Sequence, residues 1–93
     1  MKKNLHIGFV GLTHLGLNYL AASAEKKFKT LGIDLNSSKT NDLKKYNIEY
    51  DEPRLRNLII KNKGNIKFSS DLSNLKRCQI VFLSQDIATD NQD

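Results

Sequence analysis

Residues 5–10 are apolar at almost every position, the pattern of a parallel strand covered on both faces. From 14 to 26 the period changes to that of a helix. Leu17, Leu20, Ala21 and Ala24 mark one face, and Leu15 and Tyr19 are expected to widen it. Residues 28–35 read as a second strand, with Lys26 and Lys27 making a tight connection into it. Asn36, Ser37 or Ser38 then caps a short helix that ends near Tyr46. Residues 47–52 are irregular. Pro53, the only proline, suits the first turn of a further helix reaching about Asn62, with Leu55, Leu58 and Ile59 facing inward. Lys63, Gly64 and Asn65 break it. Residues 66–69 form a short third strand, and Ser70 or Asp71 caps a brief helix to Leu75. Residues 79–84 form a fourth strand containing Ile80, Val81, Phe82 and Leu83, and 86–93 turn polar without periodicity.

Strands alternating with helices imply right-handed crossovers and an α/β fold. The expected arrangement is a Rossmann-like half: a parallel sheet of about four strands in the order 3-2-1-4, with helices on both faces. Ninety-three residues make one small domain or a piece of a larger one. A chain of this size buries only about 60–65% of its unfolded surface, so it has little stability in reserve.

Composition narrows the classes. With 39% hydrophobic and 27% charged residues the chain is an ordinary globular protein and not a disordered one. No apolar run approaches the roughly 20 residues of a membrane span, and Met1, Lys2, Lys3 and Asn4 lead into a strand without the core of a signal peptide. A cytoplasmic protein is expected. Cys78 is the single cysteine, which excludes an internal disulfide and a thiolate metal cluster. At the head of an apolar run it reads as a core or near-core residue. The net charge of +5 raises nucleic acid as a partner, but the lysines are scattered among asparagines, so a solvated basic surface is the better reading.

The chemistry concentrates in the turn after the first strand, Gly11-Leu12-Thr13-His14-Leu15-Gly16, and in Asp34 at the end of the second. Strand, glycine turn, helix, strand and acid is the order of a dinucleotide-binding βαβ unit. The helix N-terminus offers unpaired amides and positive dipole to a pyrophosphate. Gly11 permits the tight turn and Gly16 a close helix. Asp34, at the carboxyl end of its strand, can accept from adenosine ribose hydroxyls and would repel a 2′-phosphate, which argues for NAD over NADP; the alternative is that it caps the next helix. Thr13 stands where the middle glycine of the fingerprint belongs. Either the ligand sits slightly farther away or the hydroxyl replaces a water and donates directly. Weakened but retained binding is expected, with a vestigial site as the alternative. His14 is expected to be turn-exposed and to contribute its backbone amide, and His6 to be a packed core or edge residue. No set of residues identifies catalytic chemistry, and no metal site stands out.

The segment from Ile7 to Leu17 resembles the opening of the UDP-glucose/GDP-mannose 6-dehydrogenase family, with its G-L-G-Y-V-G-L turn. The resemblance continues through Gly32-Ile33-Asp34 and Lys39, similar to the family's V-D-x-x-x-x-K pattern. Tyr50-Asp51-Glu52-Pro53-Arg54-Leu55 resembles its Y-E-P-G-L segment, and Phe68-Ser69-Ser70-Asp71-Leu72 its F-T-T-D joint. Residues 80–93 resemble the fourth strand and the D-V-P-T-D-D-Q-G loop, with Ile87 and Ala88 replacing valine and proline. The resemblance implies an enzyme that oxidises the C6 hydroxyl of a nucleotide sugar to a carboxylate with two NAD molecules in succession, serving polysaccharide biosynthesis, and that is a homo-oligomer at full length. It further implies that Gly11, Thr13, His14, Leu15 and Gly16 carry the pyrophosphate and that Asp34 and Lys39 address the adenosine ribose. The family's catalytic cysteine, lysine and sugar-binding residues would lie beyond residue 93, and Cys78 does not match that cysteine's motif. Residues 1–93 would then be the N-terminal NAD-binding domain of a longer enzyme, inactive alone. The rival readings are a β-hydroxyacid or 6-phosphogluconate-type dehydrogenase, which shares a G-F-[IV]-G-L turn, and a stand-alone nucleotide-binding module without catalysis.

Overall fold

The computed structural model describes residues 5–48 and 52–84. The start of the chain, part of the irregular stretch before Pro53, and the polar end at 86–93 lie outside the described residues. Four strands alternate with helices: β1 (His6–Val10), α1 (His14–Glu25), β2 (Lys29–Ile33), α2 (Ser37–Lys44), α3 (Pro53–Lys61), β3 (Ile66–Ser69) and β4 (Ile80–Leu83). Two 3-10 turns, Lys63–Asn65 and Leu72–Arg77, lead into the last two strands.

The sheet runs β3-β2-β1-β4 and every pairing is parallel. Gly8 sits opposite Leu31 on one side and Val81 on the other. The chain steps outward from β1 to β3 and then crosses back to lay β4 on the far side of β1. The order therefore reverses between β1 and β4, and the crevice above their carboxyl ends is where open α/β sheets bind ligands.

Local chemistry explains the helix limits. Thr13 and Asn36 cap α1 and α2, their side-chain oxygens accepting from the Gly16 and Lys39 amides. Pro53 occupies the first position of α3, where no amide hydrogen is needed. Both α1 and α2 end in a Schellman motif, with Lys27 (φ 75°) and Tyr46 (φ 61°) in the left-handed position that glycine usually fills. The Lys27 and Phe28 amides donate to Ala24 and Ser23, and the Tyr46 and Asn47 amides to Leu43 and Asp42.

The core lies on one face of the sheet. Leu17, Leu20, Ala21 and Ala24 of α1 are fully buried with Ile7 and Phe9 of β1 and with Leu55 and Ile59 of α3. Leu58 is only partly buried against them. The expectation that Leu15 and Tyr19 widen this stripe is corrected: they are 56% and 55% exposed. At ~100° per residue both point roughly 160° away from Leu17, so they lie across the helix from the core. Asn62, buried at the end of α3, is satisfied by donating to Glu25 Oε1 (2.8 Å) and to the Leu58 carbonyl (3.0 Å). The opposite face carries the short turn Leu72–Arg77, whose Leu75 lies 2.7 Å from where a Cβ on Gly8 would stand.

Candidate functional site

The turn from β1 to α1 closes tightly because Gly11 adopts φ 95°, a backbone conformation that strains any L side chain. Its amide donates to the Ile33 carbonyl at 2.9 Å, tying the turn to the end of β2. Gly16 completes the cradle. A Cβ at this position would lie 2.3 Å from the Gly11 carbonyl oxygen and 3.3 Å from Ser84, so only glycine lets α1 start this close to the strand ends.

Asp34 follows β2 directly, and both of its carboxylate oxygens face the backbone. Oδ2 accepts from the Leu12 amide at 2.9 Å and Oδ1 from the Asn36 amide at 3.0 Å. The acid thereby holds the glycine turn in place from the neighbouring strand. Each oxygen retains a further lone pair for an external donor. The helix that follows is capped by Asn36, whose Oδ1 accepts from the Lys39 amide at 3.1 Å; Asp34 does not cap it. Lys39 is half-buried in the first turn of α2, five residues along the chain from Asp34.

Thr13 plays a part that the sequence pattern did not reveal. Its Oγ1 accepts from the Gly16 amide at 3.1 Å and lies 3.1 Å from Ser84 Oγ, just past the end of β4. In the sequence Ser84 reads only as the last residue of the fourth strand. Its only local signal is a polar residue ending an apolar run, and nothing local says that the run lies beside β1. His14 is half exposed, as expected, but its Nε2 sits 2.6 Å from Glu52 Oε1, just before α3. Leu15 is exposed on the first turn of α1. The structure thus brings Gly11, Thr13, His14, Leu15, Gly16 and Asp34 to one end of the sheet.

Two other expected features lie away from this end. His6 lines a groove of about 500 Å³ on the sheet face that carries the Leu72–Arg77 turn, together with Lys29, Lys67 and Arg77. Cys78 lines the same groove, and burial pushes its thiol up, away from thiolate formation. Among the described residues no group of three His, Cys, Asp or Glu could hold a metal ion.

The arrangement fits a dinucleotide: a helix N-terminus beneath a tight turn bounded by Gly11 and Gly16, at the strand-order reversal, with a carboxylate at the end of the adjoining strand. Residues 5–92 match the sequence model of the UDP-glucose/GDP-mannose dehydrogenase family, NAD binding domain. The chain belongs to this family. By sequence comparison no curated protein matches it. Among solved structures it is similar to a UDP-glucose dehydrogenase from Pyrobaculum islandicum, with TM-score 0.81, 18% identity and 88% of this chain covered. A UDP-D-ManNAc dehydrogenase from Pyrococcus horikoshii gives TM-score 0.82 at 18% identity over 87% of the chain. A GDP-mannose dehydrogenase from Pseudomonas aeruginosa gives 0.83 at 17% identity over 91%. The chain spans about 20% of the length of each of these three proteins. These likenesses show the Rossmann-like fold, and the family assigns NAD as its cofactor.

Proposed function

We propose that this chain is the adenosine- and pyrophosphate-binding part of an NAD-dependent nucleotide-sugar 6-dehydrogenase. In this reading residues 1–93 are the N-terminal domain of a longer cytoplasmic, homo-oligomeric enzyme that oxidises a sugar C6 hydroxyl to a carboxylate. The observation that carries the reading is the Asp34–Leu12 hydrogen bond, which joins the acid to the glycine turn inside a family match over residues 5–92.

Bound NAD would supply the hydride acceptor; this chain's residues do the holding. Gly11 and Gly16 keep the turn low, and the backbone amides of His14 and Leu15 face the pyrophosphate from the positive end of α1. Asp34 accepts from the adenosine ribose hydroxyls and disfavours a 2′-phosphate, and Lys39 addresses the same ribose from the first turn of α2. His14, held by Glu52, steadies the start of the helix.

Calorimetric titration of NAD and NADP into wild type and Asp34→Asn tests this reading. NAD binds more tightly than NADP in wild type, and the preference shrinks in the variant. Equal affinity for both cofactors in wild type removes the ribose role from Asp34. The chain alone turns over no UDP-glucose, and NADH production well above background by the purified 93-residue chain would contradict the division of labour proposed here.

A further inference from the structure

We propose that Ser84 is a phosphate-binding residue of this site, supplying the hydrogen-bond donor that Thr13 withdraws from the glycine turn. The inference rests on the NAD reading above and deepens it.

The Gly16 amide belongs to the first turn of α1, where free N–H groups would meet a pyrophosphate. Here that amide is already given to Thr13 Oγ1 at 3.1 Å. A threonine in the middle of the turn therefore does more than add bulk, because its hydroxyl also consumes one of the donors. The second contact of the same oxygen offsets the loss. Thr13 Oγ1 lies 3.1 Å from Ser84 Oγ. The two hydroxyls hold two protons between them, and their mutual bond uses one. Whichever hydroxyl donates, one O–H proton is left over. With Thr13 accepting from Gly16, the favoured direction runs from the Gly16 amide to Thr13 and from Thr13 to Ser84, each bond polarising the next. The chain ends on the Ser84 hydroxyl.

That hydroxyl is well placed. The Ser84 amide donates to the Val10 carbonyl at 2.8 Å, which pins the residue beside the end of β1. Its Cβ and Oγ stand 3.3 Å from where a Gly16 Cβ would be. Ser84 thus spans the crevice between β1 and β4, at the point where the strand order reverses. A donor there reaches an anion crossing the crevice from the β4 side, while the His14 and Leu15 amides reach it from the helix side. A hydroxyl pair that served only to tie the turn to β4 would leave cofactor affinity unchanged once the fold is intact.

The test is a double-mutant cycle read by calorimetric NAD binding, with thermal unfolding of each variant without ligand as the folding control. The proteins are wild type, Ser84→Ala, Ser84→Thr, Thr13→Gly and Thr13→Gly/Ser84→Ala. Losing one hydrogen bond to a charged group makes Ser84→Ala bind NAD roughly tenfold more weakly, while Ser84→Thr stays within about twofold because it keeps the hydroxyl. In the Thr13→Gly background the Gly16 amide is released, so adding Ser84→Ala costs less than about twofold. Wild-type affinity in Ser84→Ala overturns the donor role, the same loss in both backgrounds overturns its link to Thr13, and either result leaves the NAD reading standing. No NAD binding by folded wild type removes that reading and the Ser84 proposal with it.

Discussion

β1 and β4 lie side by side in the sheet and are both apolar, yet they have opposite surroundings. Ile7 and Phe9 of β1 are 6% and 3% exposed. In β4, Ile80, Val81, Phe82 and Leu83 are 40%, 41%, 49% and 73% exposed. The Phe9 and Phe82 rings stack on each other, 5.4 Å between centroids with 14° between planes, so the two strands even share a contact. The difference comes from position. β1 is flanked by strands on both sides and roofed by α1, whereas β4 is the edge of the described sheet. An apolar run on both faces is the pattern of an interior strand, and β4 carries that pattern without the cover.

The sharpest test of this contrast truncates each member of the stacked pair. Phe9→Ala costs about 3–5 kcal/mol, as expected for a buried ring, a large share of the stability of so small a domain. Phe82→Ala removes the same ring from a half-exposed site and costs roughly 1–2 kcal/mol, because much of its area is wet in the folded state as well. Urea denaturation of both variants measures the gap, and equal costs would break the comparison.

Where the two strands meet the helix, the effect is next in size. Gly16→Ala places a Cβ 2.3 Å from the Gly11 carbonyl oxygen. The obstructing atom is backbone, so the helix must shift, at about 2–3 kcal/mol, and NAD affinity falls with it. A stability within ~0.5 kcal/mol of wild type would show that the helix start is not held against the strand ends.

On the covered side, Lys27 pays a left-handed strain at φ 75°. Lys27→Gly relieves it and raises stability by about 0.5–1 kcal/mol, measured as a rise in the urea midpoint. Smallest is a pH effect at the same end of α1. Hydrogen bonds from Asn62 and then Lys61 hold the Glu25 carboxyl below its ordinary value of 4.5. The folded state therefore favours the carboxylate. Its stabilisation is present above the unfolded value and is lost as pH falls through the lower folded one. Urea midpoints between about pH 7 and 3 fall less steeply at the acid end in Glu25→Gln than in wild type.

Much of the site could be read from residues in a row. Gly11 and Gly16 have roles that follow from backbone freedom, a local property, whereas the hold of Asp34 on the Leu12 amide joins residues 22 apart. The cap of α2 is legible as one of Asn36, Ser37 and Ser38, because a short polar side chain ahead of a helix start is also a local signal, and in the structure Asn36 fills it. Leu15 and Tyr19 are apolar by type, but their angle on α1 turns them away from the core. Thr13 was legible as a departure from the fingerprint but not as a cap with a second partner.

Hydrophobic period, helix caps and turn residues act over a few positions, so the sequence by itself determined the order of elements, the parallel sheet and the family's glycine turn. The pairing of Thr13 with Ser84 spans 71 residues and that of His14 with Glu52 spans 38. The different fates of β1 and β4 depend likewise on which strands and helices lie beside them. Only the tertiary structure decided these, because such contacts are set by strand register and crossover handedness, and no local preference of the chain encodes which distant side chain will arrive opposite.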